Sequence, residues 1–137
     1  MDIRIYANEN IATELAVADF KCTTNKDVNV DVAVITSAKE FFLPHKDTYI
    51  ILNTDVDYGN SKFDEIKRYI ITYGFNSRAT VTASSTYDYA QKIICLQRRI
   101  YSIFGKVIDP QEFAIETDTL ELDRTIPCQI IKLICEV

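Results

Sequence analysis

Few residues of this chain are spaced for chemistry. Asn53-x-Asp55-x-Asp57-x-Gly59 sets oxygen donors at alternate positions, as at the start of a calcium loop. The glycine falls one place late for that, and a strand pattern precedes it where a calcium loop has a helix. The segment therefore reads as a polar loop at the carboxyl end of a strand, the edge where open α/β sheets bind ligands. Asn53, Asp55 and Asp57 are the first ligand-binding candidates. Tyr73-Gly74-Phe75-Asn76-Ser77-Arg78 follows another apolar run, and Gly74 and Asn76 are candidates there. A plain connector is the competing reading for both loops. Gln97-Arg98-Arg99 reads as a solvated hairpin tip or an anion contact. His45, the only histidine, sits between Pro44 and Lys46 and reads as a solvated loop residue.

No motif supplies a reaction. A phosphate loop needs two glycines five apart before Lys-Ser/Thr, whereas Gly59, Gly74 and Gly105 are widely separated and Val107 follows Lys106. A dinucleotide-binding glycine pattern and a nucleophile elbow are absent as well. Of four cysteines, Cys95, Cys128 and Cys135 lie in apolar runs, and Cys128 and Cys135 are seven apart, which fits no zinc site. They read as buried reduced thiols packing as small hydrophobes, which fits the cytoplasm. No catalytic residues, metal or cofactor are expected.

The elements that must position these residues come from one domain. The chain has 137 residues, 47% hydrophobic and 26% charged, enough for a core without a metal or disulfide. Twenty acidic against fifteen basic residues give a net charge of −5, which disfavours nucleic acid and anionic membranes. No apolar run reaches the ~18 residues of a membrane span, and the N-terminus lacks a secretory apolar region.

Asp2–Tyr6 alternates like a strand. Asn8 is an N-cap for a helix with Ile11, Leu15 and Ala18 inward. Phe20–Thr23, Asp31–Thr36, Thr48–Asn53 and Tyr69–Tyr73 follow as strands, the last three apolar enough for burial on both faces of a parallel sheet. Ser37-x-x-Glu40 and Ser61-x-x-Asp64 open intervening helices. Beyond Gly74, Arg78–Ser84 alternates Ala79, Val81 and Ala83 against Thr80, Thr82 and Ser84, a wet face or an edge for a second subunit. Gln91–Gln97, Ile100–Phe104 and Glu112–Thr117 complete an antiparallel meander, with turns at Gly105 and Asp109-Pro110. Ile126–Val137 suits a helix starting at Pro127, or a strand. The fold class is α/β: a three-layer, Rossmann-like parallel sheet in the N-terminal half, continued by antiparallel strands on the same sheet.

Val32-Ala-Val-Ile-Thr36, Tyr49-Ile-Ile-Leu-Asn-Thr-Asp55, Tyr69-Ile-Ile-Thr-Tyr-Gly74 and Ala79-Thr-Val-Thr-Ala83 together resemble the second half of the central domain of Mur ligases. Those ATP-dependent amide ligases build peptidoglycan precursors. The resemblance covers roughly residues 31 to 117. It implies a family fold in which Asn53 and Asp55 occupy a polar motif. The chain departs from the family where chemistry is concentrated: no phosphate loop precedes these strands, and Ser37-Ala38-Lys39-Glu40 stands where metal-site residues are usual. The resemblance therefore implies a catalytically degenerate, free-standing binding or interaction module, whose partner is a cell-wall metabolism protein, a small ligand at Asn53, Asp55 and Gly74, or a second copy that covers the edge a truncated sheet leaves. The alternative is a split ligase whose phosphate loop another chain supplies. An enzyme of another class, using Asp55, Asp57 or His45, is the third reading.

Overall fold

In the computed structural model, residues 3–37, 39, 42, 48–55, 70–75, 77–85, 91–116 and 122–136 are described. The elements in chain order are β1 (Arg4–Tyr6), α1 (Glu9–Val17), β2 (Lys21–Thr23), β3 (Val32–Ile35), β4 (Tyr49–Asn53), β5 (Ile70–Tyr73), β6 (Val81–Ser85), β7 (Gln91–Leu96), β8 (Ile100–Tyr101), β9 (Val107–Ile108), β10 (Gln111–Glu116) and α2 (Leu122–Ile134). Eight strands form one sheet in the order β10-β7-β6-β5-β4-β3-β1-β2. The pairs from β2 to β6 are parallel, and β7 and β10 add antiparallel. The α/β class, with a parallel sheet continued by antiparallel strands, is therefore observed. The two helices expected from Ser37 and Ser61 lie almost wholly outside the described residues.

Period-two alternation sorts the sheet into two faces. Ile5, Val32, Val34, Ile51, Ile71, Tyr73, Val81, Ala83, Ile94 and Leu96 face the main core with α1 and α2. Ile35, Ile50 and Leu52 pack on the other face, as do Tyr6, Val30 and Ala33, where the Tyr6 and Phe42 rings meet edge to face at 4.7 Å. Every residue of β3 is buried, as its unbroken apolar run predicts. Strand β5 is not buried throughout: Ile71 and Tyr73 are inside, but Ile70 and Thr72 are half-buried. The alternation follows the two faces: Ile71 and Tyr73 join the main core, whereas Ile70 packs on the second face beside Ile35, Ile50 and Leu52.

Helix α1 starts where Asn8 caps it, the Asn8 Oδ1 accepting from the Ile11 N–H at 3.0 Å. Ile11 and Leu15 are buried, whereas Ala18 is the exposed C-cap. Asp19 (φ 66°) then takes the left-handed conformation. It closes a Schellman motif, with Asp19 N–H donating to Ala16 O and Phe20 N–H to Leu15 O.

The C-terminal segment is a helix, but Pro127 is inside it, not at its start. Proline within a helix costs roughly 3 kcal/mol. Ile126, Ile130, Ile131 and Ile134 are all essentially solvent-free, and each such burial contributes about 1.5–3 kcal/mol, so the apolar stripe outweighs the proline. Contacts to α1 hold the turn before Pro127: Arg124 lies 4.0 Å from the Glu14 carboxylate. One turn later, the Cys128 thiol donates to the same oxygen at 3.1 Å.

The Thr80/Thr82 stripe is no edge, because β6 lies between β5 and β7. The edges are β2 and β10. The strand expected over Ile100–Phe104 shortens to β8, which leaves the main sheet and pairs with β9 in a separate ribbon. Gly105, at φ 82°, makes its turn. Ile100 and Ile108 bury into the main core, and hydrogen bonds tie this ribbon to the domain. Tyr49 Oη lies 3.1 Å from the Ser102 carbonyl, and Ile103 N–H donates to Ile134 O at 2.9 Å.

Candidate functional site

The carboxyl ends of β4 and β5 bring Asn53, Asp55 and Gly74 together. Asn53 is buried at 2% exposure, so its amide must be satisfied within the protein. Its Oδ1 accepts from the Asp55 N–H at 2.8 Å, an Asx turn that bends the chain as it leaves β4. Thr54 ties the bend to β5: its N–H and its Oγ1 both donate to Tyr73 O, at 2.9 and 3.2 Å. Asp55 then reaches across to the loop after β5, where its Oδ2 accepts from the Phe75 N–H at 2.7 Å.

Gly74 makes that reach possible. Its φ is +154°, and a Cβ there would stand 2.7–2.8 Å from the Asp55 carboxylate atoms. Only the absence of a side chain lets the carboxylate lie against the backbone. Gly74 N–H meanwhile donates to Val81 O at 3.1 Å, which launches β6. The three residues thus form a latch joining two strand-end loops. Asp57, Asn76 and His45 lie outside the described residues.

The thiols are held protonated. Burial raises all four above the ordinary cysteine value. The Glu14 carboxylate raises Cys128 further by accepting a hydrogen bond from the thiol and by its charge. For Cys135, burial, aided by the charge of Asp31, pushes the thiol up to about 11. Cys22 is raised by burial alone. Cys95 is raised by burial and then by Glu112 opposite it. A protonated thiol is a poor nucleophile and metal ligand. The expectation of buried thiols holds fully for Cys128; the other three are half-buried, and all four are free. Among the described residues no group of three or more His, Cys, Asp or Glu side chains is placed to hold a metal ion.

Gln97-Arg98-Arg99 is not a hairpin tip, because β7 and β8 do not pair. Gln97 Nε2 donates to Ala79 O at 2.7 Å. Arg98 and Arg99 line a cavity near the opposite, amino-terminal edge of the parallel strands, together with Tyr49, Ile70, Thr80 and Tyr101. Sequence reading missed Tyr49, Ile70 and Tyr101 as lining residues. The available signal was the stretch 97–108, which holds Arg98, Arg99 and Lys106 and no acid in a chain of net charge −5.

Among the described residues no helix is long and apolar enough to cross a membrane. Neither the protein-family models nor the curated proteins contain a match to this chain.

Proposed function

We propose that this chain is a non-catalytic binding or interaction module on a scaffold resembling part of a Mur ligase central domain, acting in the cytoplasm. The observation that carries this reading is the latch. At the edge where α/β sheets bind ligands, Asn53 and Asp55 give oxygen acceptors to the chain's own backbone, at 2.8 and 2.7 Å. Acyl-phosphate chemistry needs donors and cations directed at a nucleotide, whereas here the edge is organised to join two loops. The protonated thiols add support, since they favour packing over nucleophilic attack.

The partner in this reading is a second copy or a protein of cell-wall metabolism. Light scattering of the purified chain tests the first: a dimer at micromolar concentration supports self-association, and a monomer throughout excludes it. Phosphate release from ATP–Mg²⁺ tests the absence of catalysis. The expected result is no release above buffer. Turnover by the chain alone overturns the reading, and turnover only after adding a phosphate-loop protein replaces it with the split ligase.

A further inference from the structure

Among the described residues, the sheet leaves a gap beside β5. Strand β6 begins level with the end of β5, Val81 opposite Tyr73. Successive residues of a parallel strand turn their backbone groups to opposite neighbours. Tyr73 O faces β4, where Thr54 N–H donates to it, and Gly74 N–H faces β6, where it donates to Val81 O. Alternation then turns Thr72 and Ile70 toward the β6 side, beyond the point where β6 starts. Thr80 closes the upper part of the gap, its N–H donating to Thr72 Oγ1 at 2.8 Å. Beside Ile70 a cavity of about 240 Å³ is left, which Arg98, Arg99 and Tyr101 also line.

The rim of this cavity is cationic. Arg99 donates through Nε to Asp109 Oδ1 at 3.0 Å, but both side chains are more than 60% exposed, so the pair holds loosely in water. Among the described residues, no hydrogen bond or ion pair engages the Arg98 guanidinium. Carboxylates and phosphates match the donor geometry of a guanidinium group. Ile70, Ile71 and the Tyr101 ring supply apolar wall. The volume is below the ~300 Å³ where drug-sized pockets begin, which is too little for a nucleotide and enough for one ring or a branched chain.

We propose that this cavity binds a small organic anion. Its carboxylate or phosphate meets Arg98 and Arg99, and its aromatic or branched body fills the gap against Ile70. The proposal deepens the binding-module reading by naming a pocket and a ligand class. It also fails separately: ATP turnover bears on catalysis, and the experiment below bears only on this pocket.

The test titrates the full chain, ¹⁵N-labelled and at low salt, with benzoate, phenyl phosphate, benzamide and inorganic phosphate. Benzoate or phenyl phosphate is expected to shift the Ile70, Ile71, Thr80 and Arg98–Tyr101 amides saturably, and the stronger of the two identifies the head group. Benzamide and inorganic phosphate are each expected to bind about tenfold or more weakly. Arg98→Gln is expected to weaken the better anion by about tenfold with the melting temperature unchanged, because Arg98 has no described partner to lose. The proposal is overturned if no probe gives saturable shifts or if benzamide matches benzoate. It is equally overturned if inorganic phosphate matches phenyl phosphate, or if Arg98→Gln binds like the parent.

Discussion

Replacing Gly74 by alanine asks whether the Asp55 carboxylate really rests on that glycine. At φ +154° a side chain adds strain of about 1–3 kcal/mol. The new Cβ also falls 2.7 Å from Asp55 Oδ1 and 2.8 Å from its Cγ. The obstacle is the end of a side chain, so the carboxylate swings away and loses its bond from the Phe75 N–H. Hydrogen bonds to charged groups contribute about 1.5–3 kcal/mol. Phe75 is 58% exposed, so water takes the freed N–H and the lower end applies. Gly74→Ala should therefore cost about 2.5–4.5 kcal/mol, and Asp55→Ala about 1.5 kcal/mol. The double variant should cost no more than Gly74→Ala alone, because the same bond cannot be lost twice. Equilibrium urea unfolding at pH 7 with a common slope measures this cycle, giving a coupling of about 1.5 kcal/mol. Additivity within about 0.5 kcal/mol would refute the contact, as would a Gly74→Ala variant as stable as the parent.

Asp19→Gly should stabilise the domain by about 0.5–1 kcal/mol, since glycine holds φ 66° without the left-handed penalty; thermal unfolding reads this as a higher midpoint. Tyr49→Phe should cost about 0.5–1.5 kcal/mol. It removes the hydroxyl placed 3.1 Å from Ser102 O and 3.3 Å from Tyr101 O, and faster amide exchange over residues 100–108 should accompany the loss. The raised thiols make stability fall at alkaline pH. The folded state keeps protons that the unfolded chain releases from about pH 9, so their contribution is complete below pH 9. For Cys135 it is lost as pH rises through about 11. Melting temperatures across that range should fall less steeply in Cys135→Ala than in the parent.

The parts of the fold legible in the sequence are those where one residue type dominates a local run. β-Branched stretches marked β3 and β4, alternation marked β6, and Asn8 marked the start of α1. The misses have non-local causes. Pro127 is a helix-start signal locally, but the isoleucine stripe and the Glu14 contacts from α1 override it. Ile70 reads as core, yet it is half-buried, because it lies on the second face of the sheet with Ile35, Ile50 and Leu52, whose cover the run Tyr69–Tyr73 does not announce. At the candidate site, Asn53, Asp55 and Gly74 were legible as residues after buried strands. Their role was not, because the Asp55–Phe75 bond spans twenty residues, and only the fold brings the two loops into register. Asp19 shows no glycine signal at all, and its left-handed backbone follows from the Schellman closure.

The cover of α2 has a consequence for synthesis on the ribosome. Val34, Ile51, Tyr73 and Ile94 leave the exit tunnel before the isoleucines that shield them. Ile134 comes forty residues after Ile94, roughly 2–8 s of translation at about 5–20 residues per second. Through that interval a nascent sheet has one greasy flank only partly roofed by α1. Docking of α2 is then the step that ends exposure to chaperones and to neighbouring chains, and it clasps early and late segments through the Cys128–Glu14 contact, 114 residues apart.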